Sequence, residues 1–527
     1  MTVESVPEEE GIPTSKPAHR PPEPQHEEIE LELDLTPDAA PHTQASQSES
    51  QKRNLPPNRR PISQRSFFMQ TIFVATVASP QVLCEAQVGM LLVSLEDIGL
   101  QVGTHDEREL SWFPAAYGLA IGVFLITSGR LGDLYGSRLL WLSGFVISVI
   151  SNIGSGFCSE KISFNICRAL AGVGVAASLP NAIAILGQSY SSPRSRAVVF
   201  SVVGALAPVG FVLGALIGGF WAFEVDSRWI WWFTSIVCFA LLACGWFLIP
   251  PPTSDPALPR QKFDIIGAVL LMLFLGLFNF AWNQGPIVGW SQPYVYALLI
   301  LSILAGVGFY FWERRAGEDA LIPVEVLHKN SLLVYVCLWL GWMSFGIWSL
   351  YTVQFLRNIR GVENTLLLAA LNAPALPAGV IAALAAPYAI RHFAGHTIFF
   401  FSMISFGLGN LLGALTPVNL TYWAVTFPSF LLVAAGPDLS YTTGQLIVTN
   451  SVDVAYHGIA GGIITTVMYY SQSIGLGMAA TVERYTAGDD QLKGYRAAFW
   501  FGTGLAGLAA VVVASFIRMP KQAAHRE

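Results

Sequence analysis

Charge is scarce in this chain. Of 527 residues only 12% are Asp, Glu, Lys or Arg, while 53% are hydrophobic; soluble domains average about 25% charged. Apolar runs of about 20 residues recur almost throughout, each long enough to cross roughly 30 Å of hydrocarbon as a helix. The scarcity of charge excludes a soluble helical core, because no such core buries so many helices that are apolar all round. The runs do not alternate apolar with polar, which excludes a membrane β-barrel. The six cysteines, Cys84, Cys158, Cys167, Cys238, Cys244 and Cys337, form no C-x-x-C pair and have no zinc spacing. They read as small buried hydrophobes, and sequence alone does not pair Cys158 with Cys167. His392 and His396 have i, i+4 spacing, but no further histidine cluster completes a site, so no metal is expected. A Gly-x-x-x-x-Gly-Lys phosphate loop is missing, as is any basic domain suited to nucleic acid. The expectation is a non-enzyme without cofactor or nucleic-acid partner. A cleavable signal peptide is not expected either, since the N-terminus is polar and acidic.

Helices are expected at about 67–93, 111–129, 138–157, 163–187, 197–221, 229–249, 264–284, 293–312, 331–355, 365–390, 397–416, 421–447, 456–480 and 497–517. This all-α membrane pattern of fourteen spans is even, so both termini share one side. Loops placed inside with the N-terminus, together with the patch Lys52, Arg53, Arg59, Arg60 and Arg65, hold about twice as many Lys and Arg as the other loops and favour N-in, C-in. Residues 1–65 read as a disordered tail, acidic and then basic, with the basic part drawn to anionic lipid. Residues 66–249 form a first six-helix half. Residues 250–330 hold a proline-rich linker and two extra central helices, 331–517 a second half, and 518–527 a short cytoplasmic tail. Asn419-Leu420-Thr421 is a glycosylation sequon on the outer face that abuts the membrane and is expected to stay unused.

Within the runs, a few polar and glycine residues stand out. Residues 129–138 read Gly-Arg-Leu-Gly-Asp-Leu-Tyr-Gly-Ser-Arg between two apolar runs. Gly129, Gly132 and Gly136 allow a tight turn, Asp133 suits a helix N-terminus, and Arg130 and Arg138 suit carboxylates or lipid phosphates. Residues 387–396 resemble a worn copy of this loop. In the fifth run, which begins its glycine-rich stretch at Gly204, the spacing of Gly210, Gly214 and Gly218 predicts a glycine groove for close packing, and Pro208 permits a bend. Arg168 in the fourth run is a buried cation, and such a residue is functional by default. Glu85 in the first run, flanked by Gln81 and Gln87, is its candidate partner, either as a proton-sensitive pair across a cavity or as a static packing pair. Asp438 follows Gly436-Pro437 in an interrupted helix, a setting typical of binding sites. Asn181, Tyr441 and Gln472 are further candidates for lining a pathway, and Asn279 and Asn283 for packing.

The loop Gly129 to Arg138 resembles the signature between helices 2 and 3 of the major facilitator superfamily. The glycine-rich fifth run resembles the antiporter motif of that superfamily's exporters. Arg168-Ala-Leu-Ala-Gly172-Val-Gly174 resembles its second motif, with Ala171 where glutamine is common. With Leu110-Ser111-Trp112-Phe113, Tyr117-Gly118, Pro180 to Gly187, Asn279 to Pro286, Gly346-Ile347-Trp348 and Gly475-Leu476-Gly477, the likeness narrows. Over about 66–517 the chain resembles a fungal fourteen-helix drug:proton antiporter of the aminotriazole-resistance and low-affinity ammonium transporter branch. The resemblance implies a major facilitator fold, a small-molecule substrate, monomeric work in the bilayer and alternating access driven by a proton gradient. Efflux of a drug, toxin or secondary metabolite is the first expectation and a permease for ammonium or borate the second. The plasma membrane is the expected site and the vacuolar membrane its alternative. Glu85 departs from relatives, which are neutral and amide-rich there.

Overall fold

A computed structural model describes residues 66–190, 192–251, 262–317, 320–453 and 456–518. The expectations for the tail 1–65, for most of the 250–263 linker and for the C-terminal residues after 518 fall outside these. All fourteen expected stretches are helical. In chain order they are α1 Phe67–Val93, α2 Trp112–Tyr135, α3 Ser137–Phe157, α4 Lys161–Ser189, α5 Pro193–Glu224, α6 Arg228–Leu248, α7 Ile265–Val288, α8 Pro293–Ala316 and α9 Lys329–Gln354. Then come α10a Thr365–Leu371 with α10b Ala375–His392, α11 Gly395–Leu415, α12a Thr426–Val433 with α12b Ala435–Thr449, α13 His457–Ala487 and α14 Gln491–Phe516. Among the described residues, 12 stretches are long and apolar enough to cross a membrane, and there is no strand. The broken α12 and the less apolar α13 are the two stretches outside that set.

The starts and stops follow local chemistry. Ser66 accepts the Met69 amide at the start of α1, Asp264 that of Gly267 at α7, and Asp490 that of Lys493 at α14; each satisfies an amide that would otherwise lack an intrahelical partner. Gly136 turns α2 into α3 with φ 100°, a conformation open to glycine. Helix 12 breaks just before Gly436-Pro437, as the sequence predicts, and Asp438 sits in the first turn of α12b, where the helix dipole favours an acid. The break of α10 at Asn372–Pro374 was not expected; Pro374 precedes α10b.

Helix pairings repeat. In the first six helices α1 packs on α5, α3 on α4 and α3 on α6; in the last six α9 packs on α13, α11 on both parts of α12 and α11 on α14. The two sets meet where α2 crosses α13 and where α5 meets α10a and α10b. Helix α7 packs against α8, α13 and α2. Asn283 Nδ2 bonds Asn279 Oδ1 at 2.8 Å and Ser473 O at 3.3 Å, and Ser473 Oγ bonds Asn279 Oδ1 at 3.0 Å. The two asparagines therefore join α7 to α13, a packing role.

The glycine groove of α5 is real, and α1 fills it. A Cβ at Gly210 would lie 2.5 Å from Val82 O, one at Gly214 would collide with the Ala86 backbone, and one at Gly218 would lie 2.8 Å from Met90 Cα. Val82, Ala86 and Met90 are spaced by four and form one stripe of α1. Gly204 has nothing within 4 Å of a Cβ and lies outside the groove. A leucine at Gly214 is expected to lower the thermal midpoint of the solubilised protein, at a cost of about 1–3 kcal/mol from overpacking. Gly204→Ala is expected to leave it unchanged or raise it slightly, since alanine is the better helix former.

Candidate functional site

Three groups of residues meet where the two sets of helices face each other. The first is a pair of acids. Glu85 of α1 accepts the Tyr469 hydroxyl of α13 at 2.8 Å. Asp438 lies beside the point where Gly379 of α10b faces Pro208 of α5. Among the described residues neither carboxylate has an ion-pair partner. A side-chain charge at membrane depth costs several kcal/mol unless paired or hydrated, on the order of 2.5–3.5 kcal/mol even on insertion scales.

The Glu85–Arg168 pairing expected from the sequence does not form. Arg168 is fully buried and is satisfied by neutral groups. Its guanidinium donates to Gln87 Oε1 at 3.0 Å, Asn152 Oδ1 at 2.9 Å and Ser155 Oγ at 2.6 Å, and lies 3.9 Å from the centroid of the Trp231 ring, a favourable cation–π position. Gln87 also donates to the Tyr117 hydroxyl at 3.3 Å, which in turn donates to Cys84 O at 3.3 Å. The reason is helical geometry. At 3.6 residues per turn, Glu85 and Gln87 point to opposite flanks of α1, and Gln87 takes the flank toward α4.

The second group is the loop at 129–138. Gly129, Arg130 and Asp133 line a cleft of about 270 Å³ together with Pro180 and Asn181 of α4, Tyr441 of α12b and His457 of α13. Asp133 is in the last turn of α2, and the helix N-terminus across this cleft is that of α13. Asn181 is buried, donating to Ala177 O at 2.8 Å and Ser128 O at 3.3 Å, and it fills the space that a side chain at Gly132 would need. Among the described residues Arg138 has no carboxylate partner; its Nη2 donates to Trp246 O at 2.8 Å in the last turns of α6, the negative end of that helix. The cleft thus brings together Gly129, Arg130, Asp133, Asn181 and Tyr441. Gln472 is elsewhere, its amide turned back 3.5 Å from Met468 O. His392 ends α10b, bonded to Tyr388 O at 2.8 Å, whereas His396 belongs to α11. Asn419 lies exposed in the turn after α11.

The third group closes the opposite end and was missed in the sequence. Helix α9 continues into a π turn, Phe355–Ile359, a distortion often found at functional sites. From it Arg357 Nε reaches Glu96 Oε2 at 2.9 Å and its Nη2 reaches Asp97 Oδ1 at 3.6 Å, both in the short helix Leu95–Gln101 after α1. Asn358 donates to Glu107 Oε1 at 2.8 Å, and Tyr495 donates to Glu107 Oε2 at 2.6 Å. The remaining cavity here, lined by Glu96, Glu107, Gln354 and Arg357, is about 10 Å³. The contacts join residues 251 to 388 positions apart, so no local pattern announces them. One end is bolted and the other open.

The Major Facilitator Superfamily model matches residues 73–476. The low affinity ammonium transporter of Saccharomyces cerevisiae is 39% identical, over 86% of this chain and 89% of that protein. The aminotriazole resistance protein of the same yeast is 35% identical over 86% and 85%. The efflux pump terJ of Aspergillus terreus is 33% identical over 86% and 91%. Among solved structures, a peptide transporter POT bound to sulfate has the same fold, with TM-score 0.62 and 16% identity over 88% of this chain and 96% of that one.

Hydrogen bonds to charged groups contribute about 1.5–3 kcal/mol each, so losing those of Arg357 is expected to raise the open population at this end about tenfold or more. The measurement is labelling of a Gln354→Cys probe by a membrane-impermeant maleimide. Arg357→Ala is expected to speed it, and an unchanged rate would show that the cluster does not hold the end shut.

Proposed function

The chain belongs to the Major Facilitator Superfamily, and from that premise we propose that it exports a small organic solute in exchange for protons by alternating access. The observation that carries this reading is two acids at the seam between the sets of helices, Glu85 bonded across it to Tyr469 and Asp438 beside the contact of Gly379 with Pro208, neither with an ion-pair partner among the described residues. A carboxylate without a cation in a low-dielectric seam has lowest free energy when it holds a proton or faces a solute cation. Proton entry would then displace solute, and the reverse. The filled groove between α1 and α5 matches the antiporter motif, and relatives named efflux pump and multidrug transporter point the same way. Small-molecule pockets run to about 300–1,000 Å³; the cleft of about 270 Å³ suits a small solute rather than a peptide or lipid.

In this reading α12 and α13 also cross, giving fourteen passes, with residues 66–249 and 331–517 as the two halves and the central pair α7–α8 between them. The positive-inside bias puts both termini in the cytoplasm, so the cleft faces inward and the Arg357 end outward. The chain works as a monomer in the plasma membrane, the vacuolar membrane being the alternative.

A second reading, a permease for a small amine or inorganic solute such as ammonium or borate, has its own support in the relative named for ammonium transport. The acid pair suits an ammonium ion as well as a proton.

Cells with and without the gene would be compared for accumulation across a toxin panel and for ammonium and borate uptake. Lower toxin accumulation, lost with a protonophore and in Glu85→Gln or Asp438→Asn, is the expected result. Unchanged toxin levels with altered ammonium or borate flux would replace efflux with the permease reading. Full proton-coupled efflux by Glu85→Gln would remove the acid pair from the mechanism.

A further inference from the structure

The turn from α3 to α4 brings two thiols together. Cys158 caps the end of α3 and Cys167 lies in the second turn of α4; both are free and half-buried. Their sulfurs are 3.8 Å apart. A disulfide needs about 2.05 Å between sulfurs, a closure within reach of side-chain rotation. The backbones are already fixed side by side, because Arg168, one residue after Cys167, bonds Asn152 and Ser155 of α3. Gly154, one turn before Cys158, leaves the room: a Cβ there would lie 3.0 Å from Cys167 Sγ. At present the Cys158 thiol donates to Gly154 O at 3.2 Å, a weak bond that closure gives up.

The other four cysteines provide the contrast. Cys84, Cys238 and Cys337 are buried singly. Cys244 is exposed in the last turns of α6, at the same end as the 129–138 loop. With the N-terminus in the cytoplasm, Cys244 faces a reducing compartment, while the α3–α4 turn faces the secretory lumen and later the outside, where disulfides persist.

We propose that Cys158 and Cys167 form a disulfide in the mature protein, a covalent staple on the seam that Arg168 holds by hydrogen bonds. The inference rests on the N-in topology of the preceding reading. One thiol, as thiolate, attacks a disulfide of the oxidising compartment, such as oxidised glutathione, and expels one thiol. The second thiolate displaces the other thiol, so the pair loses two electrons and two protons and one external disulfide becomes two thiols.

The test uses the full chain extracted from cells. Free thiols are alkylated under denaturing conditions with one reagent, disulfides are then reduced, and newly exposed thiols are alkylated with a heavier one. Peptide mass spectrometry is expected to find the light tag on Cys84, Cys238, Cys244 and Cys337 and the heavy tag on Cys158 and Cys167. The light tag on both Cys158 and Cys167 would overturn the proposal. An epitope in the exposed 417–420 turn separates the two ways of failing. If antibody binds it on intact cells, or only once internal membranes are permeabilised too, the topology stands and the disulfide alone is wrong; if it binds once the plasma membrane alone is permeabilised, the topology is wrong as well. A reductant is also expected to lower the thermal midpoint of the native protein and to leave the Cys158→Ser/Cys167→Ser variant unmoved.

Discussion

The rotation of α1 about its own axis is the constraint on which the rest of the site depends. Helix α5 offers Gly210, Gly214 and Gly218 as a channel without side chains, and Val82, Ala86 and Met90 seat in it backbone to backbone. Residues before and after that stripe then have no choice of direction. At about 100° per residue, Gln87 turns one way from Ala86, to Arg168, and Glu85 turns the other way, to Tyr469 of the second set of helices. A wider α5 would free α1 to roll and would move both polar residues off their partners. The groove is thus a locating surface for chemistry that no residue of the groove takes part in.

Arg168 illustrates how an intramembrane cation can be stabilised without a counter-ion. Carbonyl and hydroxyl oxygens of Gln87, Asn152 and Ser155 accept its protons and the Trp231 face receives its charge. The four partners come from α1, α3 and α6, so this one side chain knits three helices to α4. Among the described residues Glu85 and Asp438 have no ion-pair partner where the two sets of helices face each other. The charge of Arg168 and the carboxylate of Glu85 are kept apart by two neighbouring positions on opposite flanks of α1.

Much of this was legible in the sequence. All fourteen helical stretches, the turn at Gly136, the break before Gly436-Pro437 and the close-packing face of α5 follow from local patterns: apolar run length, glycine at a required φ, proline beside glycine, glycines four apart. Arg168 was legible as a residue that needs a partner, and Asp438 as an acid in an interrupted helix. Which partner was not legible, because it depends on helix rotation, and two residues along α1 decide between Glu85 and Gln87. The bolt of Arg357, Glu96, Asp97 and Glu107 escaped for a different reason. Each of these residues looks like an ordinary solvated charge in a loop, and its meaning arises from contact with segments 251 to 388 positions away. Gly204 belongs to the same stretch of sequence, but a Cβ there would meet nothing within 4 Å.

Two sets of helices related in this way meet along two fronts, α2 against α13 and α5 against α10a and α10b. Helix α7 packs on both members of the first front, pinned by Asn279, Asn283 and Ser473. The second front carries no such cover from the central pair. The molecule is therefore lopsided toward the lipid around it. On the efflux reading proposed above, a greasy solute that partitions into the bilayer before reaching the protein would meet a shuttered window on one side, and its sideways route into the seam would run past α5 and α10, next to Asp438.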